Sequence, residues 1–162
     1  MRNSPINQVY TVFVRLSDVF RYLDPKVYDT LCQPIFYSPR DTIHVYGGQP
    51  DGYTPLKPIV TFERGHTFLA YFEGNTTSKS AEGQLAIQAL DKLLHQFGYP
   101  VFLEERSLVA VSNNTAMHAR SVIKINDVPA HQNRWLLKTW NVDDISVHKQ
   151  HLMPNCLHTS DE

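Results

Sequence analysis

Cysteine is scarce in this sequence. There are two, Cys32 and Cys156, far apart and in no C-x-x-C pair, so a zinc ribbon or a thioredoxin-type centre is not expected. Two lone cysteines fit free thiols in a reducing compartment better than a disulfide framework. No apolar run approaches bilayer-spanning length, and the start, MRNSPINQVYTVFV, lacks the charged, apolar and small-residue order of a secretory signal. The expectation is a cytoplasmic chain without a membrane partner, in which the sequons at Asn75 and Asn113 are chance matches. An excess of positive charge is also missing. Lys and Arg number 15 against 16 Asp and Glu, so no basic field marks nucleic acid as a partner. Neither internal repeats nor low-complexity blocks are present.

What remains is an ordinary globular composition, 42% apolar and 19% charged over 162 residues, enough for one domain. Residues 1–34 read as a helical segment. Ser17 is a cap for a first helix, and Asp24 before Pro25 supplies a cap and a first-turn proline for a second. Residues 35–58 are rich in Pro and Gly and read as loop. In the helix-and-strand core, 59–145, "IVTFERGHTFLAYF" offers two β-runs around a turn at Arg64-Gly65. "SAEGQLAIQALDKLLHQFG" is an amphipathic helix with Ala86, Ala89, Leu90, Leu93 and Phe97 on one face and Gly98 as its stop. His95 is expected on its solvated flank. Four short β-patterned runs follow, "YPVFLEE", "SLVAVSNN", "ARSVIKIND" and "RWLLKTWNV", and residues 146–162 read as a flexible tail. The fold class expected is mainly β with α: strands in a barrel or jelly-roll, with one helix packed outside.

Eight histidines are the main chemical resource. In "LVAVSNNTAMHAR", residues 108–120, an apolar strand breaks at Asn113-Asn114 and resumes towards His118 and Arg120. A buried imidazole there needs either a hydrogen bond or a metal.

The order of these residues, with Arg134-Trp135-Leu136-Leu137-Lys138 after them, resembles the C-terminal signature of the clavaminate synthase-like branch of the TauD superfamily, the Fe(II)- and 2-oxoglutarate-dependent oxygenases. "FVRLSDVFRYLDPKVYDTLCQPIFYSPR" is similar to the family's helical insert, and "AEGQLAIQALDKLLHQFGYPVFLEERSLVAVSNN" to the helix leading into the metal-bearing strand. Residues 10 to 142 can be matched in order. The resemblance implies part of a double-stranded β-helix (jelly-roll) core with an N-terminal helical insert and one packed helix. It implies Fe(II) and 2-oxoglutarate as cofactors and hydroxylation of a small substrate, an amino acid or a derivative.

His118 matches an iron-ligand position, Arg134 the arginine that clamps 2-oxoglutarate, and Lys138 a basic residue facing co-substrate or substrate. Asn113 matches the turn asparagine that fixes the histidine's approach. Arginine suits the co-substrate role because its planar fork binds a carboxylate bidentately. Arg120 is expected to be a structural ion-pair partner rather than a ligand.

The same family holds iron with two histidines and a carboxylate, two of them from a His-x-Asp or His-x-Glu motif. None of the eight histidines here has an acid two residues on. Ser112, Arg106-Ser107 and Ala119 also stand where the family has an aspartate, a Gly-Asp turn and a glycine. One imidazole holds iron weakly. By itself the chain is therefore expected to be inactive or weakly active, with a partner chain or self-association completing the barrel. The rival expectation is a non-catalytic β-rich remnant serving as a binding or interaction module.

Overall fold

The computed structural model describes residues 3–39, 52–63, 65–112 and 115–134. Among them are seven strands and four helices in the order β1 (Gln8–Arg15), α1 (Leu16–Tyr22), α2 (Pro25–Leu31), β2 (Phe36–Tyr37), β3 (Val60–Glu63), β4 (His66–Leu69), β5 (Thr77–Ser78), α3 (Ala81–Gln96), β6 (Tyr99–Val101), β7 (Ala116–Lys124) and α4 (Val128–Gln132). The strands form three small antiparallel sheets, β6-β1-β7, β2-β5 and β3-β4. No closed barrel is formed among the described residues.

The two helices expected near the start are present, but a strand precedes them. β1 carries the β-branched and aromatic run VYTVFV and runs directly into α1. Arg15 takes the N-cap position of α1 without a side-chain cap, and Ser17 lies inside the helix rather than capping it. Asp24 caps α2, accepting from the Lys26 amide at 2.8 Å, with Pro25 in the first turn. The β3-β4 hairpin turns through Gly65, whose φ of 80° suits glycine.

α3 is the central helix. Ser80 caps it through the Gly83 amide, and Ala86, Leu90 and Leu94 bury against Val14, Val19, Leu31 and Phe36. The buried stripe is centred on these three, with Ala89, Leu93 and Phe97 on its half-buried flank. Gly98 ends the helix by allowing close approach: a Cβ there would lie 2.9 Å from Val12 Cγ1.

One expected strand is not as the sequence suggested. Residues 107–112 form no strand, and Leu108 is 93% exposed. Apolar residues make a strand only against a partner, and no described segment pairs with this one. Of "RWLLKTWNV" only Arg134 is described, in no strand; the rest, like the tail, lies outside the described residues. No helix among the described residues is long and apolar enough to cross a membrane.

Candidate functional site

The three-stranded sheet has two unlike faces, because side chains alternate along a strand. Val14 and Met117 are paired across β1 and β7 and pack towards the core. The opposite face carries Phe13 beside His118 and Tyr99, and Thr11 beside Arg120 and Val101. This second face is largely open: His118 and Arg120 are exposed, and Tyr99 is 70% exposed.

His118 is therefore an exposed residue in the middle of β7, not a buried imidazole at a strand end. Its ring lies 6.5 Å from that of Phe13 with a 37° tilt. A turn does feed the strand: the Ser112 carbonyl accepts from the amides of Thr115 and Ala116, both at 3.0 Å. Leu16 N–H then bonds the Thr115 carbonyl at 2.9 Å and fixes where β7 begins. Asn113 and Lys138 lie outside the described residues.

Arg134 lies beyond the other end of β7. The chain leaves β7, turns at Asn126-Asp127 and enters α4, which Asp127 caps through the Ala130 amide at 2.9 Å. Buried Asn7 locks that turn: its Oδ1 accepts from the amides of Asn126 and Asp127, and its Nδ2 donates to the Asp127 carbonyl, each at 2.8 Å. Arg134 follows α4, half-buried, and its Nε donates to Asn3 Oδ1 at 3.2 Å. Asn3 in turn donates from Nδ2 to the Leu103 carbonyl, just past β6, at 2.9 Å. Burial first, and the nearby Arg120 charge second, lower the pKa of the Arg134 guanidinium. Among the described residues neither Arg120 nor Arg134 forms an ion pair, so the structural pairing expected of Arg120 is not found there. Asn7 and Asn3 had no signal in the sequence beyond being polar residues ahead of a strand.

Beside β7, a groove of about 930 Å³ lies between the sheet, the C-terminal end of α3 and residues 71–73. Its lining includes Val12, Met117 and Leu94 with Tyr71, Glu73 and His95. Tyr71 OH donates to Asp91 Oδ1 at 2.5 Å, and burial raises the pKa values of both groups. His95 pairs with Glu73 at 2.5 Å in an exposed contact, on the solvated flank where the helix pattern put it. A second hollow, about 520 Å³, is lined by Asn3, Phe102 and Asn133 and holds none of the expected site residues.

An iron site of two histidines and a carboxylate needs three protein ligands on one side of the metal. Among the described residues no group of three His, Cys, Asp or Glu side chains is placed to hold a metal ion. The sheet face supplies one imidazole, His118. These residues do not complete an iron site.

The fold is similar to part of the fold of two solved iron oxygenases. The chain is similar to the asparagine oxygenase solved with Fe(II), 2S,3S-3-hydroxyasparagine and succinate, with a TM-score of 0.67 and 17% identity over 78% of this chain. It is also similar to the non-heme iron oxygenase OrfP, solved with Fe, succinate and (3S)-hydroxy-L-Arg, with a TM-score of 0.56 and 19% identity over 77% of this chain. OrfP with Fe and alpha-ketoglutaric acid matches with the same TM-score and identity. The match spans 39% of the asparagine oxygenase chain and 37 to 38% of these OrfP chains. At these identities the likeness is one of fold. No family model matches the sequence, and no curated protein does.

Proposed function

We propose that this chain is the C-terminal part of a jelly-roll Fe(II)- and 2-oxoglutarate-dependent oxygenase acting in the cytoplasm on a free amino acid or a derivative. His118 is one iron ligand, Arg134 holds the far carboxylate of 2-oxoglutarate, and Lys138 assists there or meets the substrate. Asn113 steadies the turn before His118. The remaining iron ligands come from outside the described residues, by way of a partner chain, self-association or further polypeptide.

The observation that supports the reading is that His118 stands on β7 and Arg134, following α4, is anchored through Asn3 to the Leu103 carbonyl just past β6, a strand of the same sheet. Its support from outside the chain is the likeness in fold to oxygenases solved with iron, alpha-ketoglutaric acid and hydroxylated amino acids. The rival, a binding module without catalysis, is favoured by the single imidazole on the sheet face.

Anaerobic calorimetric titration with Fe(II), then 2-oxoglutarate, separates the two. The oxygenase reading expects weak Fe(II) binding by the wild type, strengthened by 2-oxoglutarate and lost in His118→Ala. No binding, or equal binding by His118→Ala, assigns the chain to the rival.

A further inference from the structure

Residues 70–76, between β4 and β5, are linked to α3 by two side-chain contacts. Tyr71 OH donates to Asp91 Oδ1, and His95 Nε2 meets Glu73 Oε1, each at 2.5 Å. The spacings match: Asp91 and His95 are neighbours four residues apart on the helix, and Tyr71 and Glu73 are two apart on the segment. Both ends of the segment are anchored. The Ala70 amide donates to the Ile59 carbonyl at 2.8 Å, and buried Thr76 meets Ser38 through their hydroxyls at 2.9 Å. Between them lies a small turn, in which the Phe72 carbonyl accepts from the Asn75 and Thr76 amides at 3.1 and 2.8 Å. The Phe72 amide donates to Thr76 Oγ1 at 3.0 Å. Residues 71–73 are one wall of the groove beside β7, whose lining also includes Val12 and Met117 of the sheet.

The charges at this seam are unbalanced. Burial raises the Asp91 pKa most; after the Tyr71 hydrogen bond, which lowers it, the Glu73 charge raises it and the His95 charge lowers it. Asp91, Glu73 and His95 therefore lie within electrostatic reach of one another. The other elements that meet α3 bring their groups elsewhere. α2 reaches Glu82 in its first turn through Thr30, α1 stacks Tyr22 on Phe97, and β7 brings His118 and Arg120 to the groove lining. A protonated His95 stands beside two carboxylates, whereas a neutral one leaves two like charges at one seam. Histidine is the side chain whose charge changes near neutral pH.

We propose that residues 70–76 are a strap clasped onto α3 by protonated His95 and loosened when His95 loses its proton, so that the groove has a pH-sensitive wall. While protonated, His95 holds Glu73 in an ion pair and offsets the repulsion between Glu73 and Asp91. Once it is neutral, the Tyr71 hydrogen bond is left to hold the middle of the strap against that repulsion. Linkage fixes the direction: closure that brings an imidazolium to carboxylates is favoured below the imidazole range and lost as pH rises through it. Phe72, 58% exposed between the two links, moves with the strap and widens the groove. The device operates whether or not the chain binds iron.

The test is hydrogen exchange by NMR on the full 162-residue chain at pH 5.5 and pH 8, corrected for the intrinsic pH dependence of exchange. The Phe72, Asn75 and Thr76 amides report the strap, and the Leu90 and Leu94 amides report α3. Glu73 and His95 are 48% and 71% exposed, so their pair is screened and the effect is modest. Protection of the strap amides is expected to fall about two- to fivefold from pH 5.5 to pH 8, the range for an exposed ion pair, with α3 unchanged. His95→Gln is expected to show the lower protection at both pH values. His95→Lys, a cation at both, is expected to keep the higher protection at both. Strap protection independent of pH in the wild type overturns the proposal, as does a pH dependence that survives in His95→Gln. A fall shared equally by the α3 amides also overturns it, because the change is then one of global stability.

Discussion

Asn7 makes three hydrogen bonds of 2.8 Å across more than a hundred residues of sequence and is only 2% exposed. It fixes the turn from β7 into α4, and through it the approach of Arg134. Asn7→Ala leaves two backbone amides and a carbonyl without their partner at a buried site. Each such loss costs about 1 to 3 kcal/mol, so Asn7→Ala is expected to lower the denaturant midpoint markedly. A midpoint within error of the wild type would remove Asn7 from this role. Asp91 offers a second test. Burial raises its pKa most and the neighbouring Glu73 charge adds to this, while the Tyr71 hydrogen bond and His95 pull it down. A carboxyl whose folded pKa is raised binds its proton more tightly when folded. Its stabilising contribution is complete below the ordinary carboxylate pKa and is lost as pH rises through the raised folded value. Asp91→Asn should therefore gain stability relative to the wild type as pH increases across that window, read from denaturant midpoints. Tyr71→Phe should push the Asp91 titration higher still, followed by carboxyl NMR. At this scale the sequence was partly legible. Asp24-Pro25 announced its cap because capping is local chemistry. Asn7 did not, because its partners lie 119 and 120 residues away.

α3 and the β3-β4 hairpin were legible for the same reason: a 3.6-residue apolar stripe and a Gly-containing turn are written in consecutive residues. β1 was not, although its apolar residues are plain in the sequence. Its pairing with β7 joins residues 8–15 to residues 116–124, and nothing near it in sequence marks the strand's end before α1. The segment 107–112 failed in the opposite way, with strand composition but no described partner. The turn ahead of it holds a local departure. Arg106 has a φ of 65°, the left-handed region, at the position where the family resemblance expects glycine. A non-glycine residue there carries about 1 kcal/mol of strain or more. Arg106→Gly relieves it but loosens the unfolded chain, so the expected gain is about 0 to 1 kcal/mol in chemical denaturation. A clear loss of stability would mean that the Arg106 side chain makes contacts that outweigh the strain.

For the whole molecule, the open sheet is the feature that governs association. The sheet ends at β6 and β7, whose outer edges have no partner strand among the described residues. Val122, Ile123 and Tyr99 are exposed on those strands, and the groove of about 930 Å³ lies beside β7. Unpaired edges and exposed apolar side chains favour association. The likeness in fold to the solved oxygenases was legible in the order of the motifs. The exposure of His118 was not, because burial on a sheet face depends on what covers that face.

The central claim is that His118 is an iron ligand, and paramagnetic broadening tests it residue by residue. Anaerobic Fe(II) is added to the isotopically labelled 162-residue chain, and amide and imidazole resonances are followed by NMR. Broadening centred on His118 and its strand neighbours Met117 and Ala119, absent in His118→Ala, is the predicted result. Broadening centred on the histidines of residues 146–162, or none near β7, would contradict it.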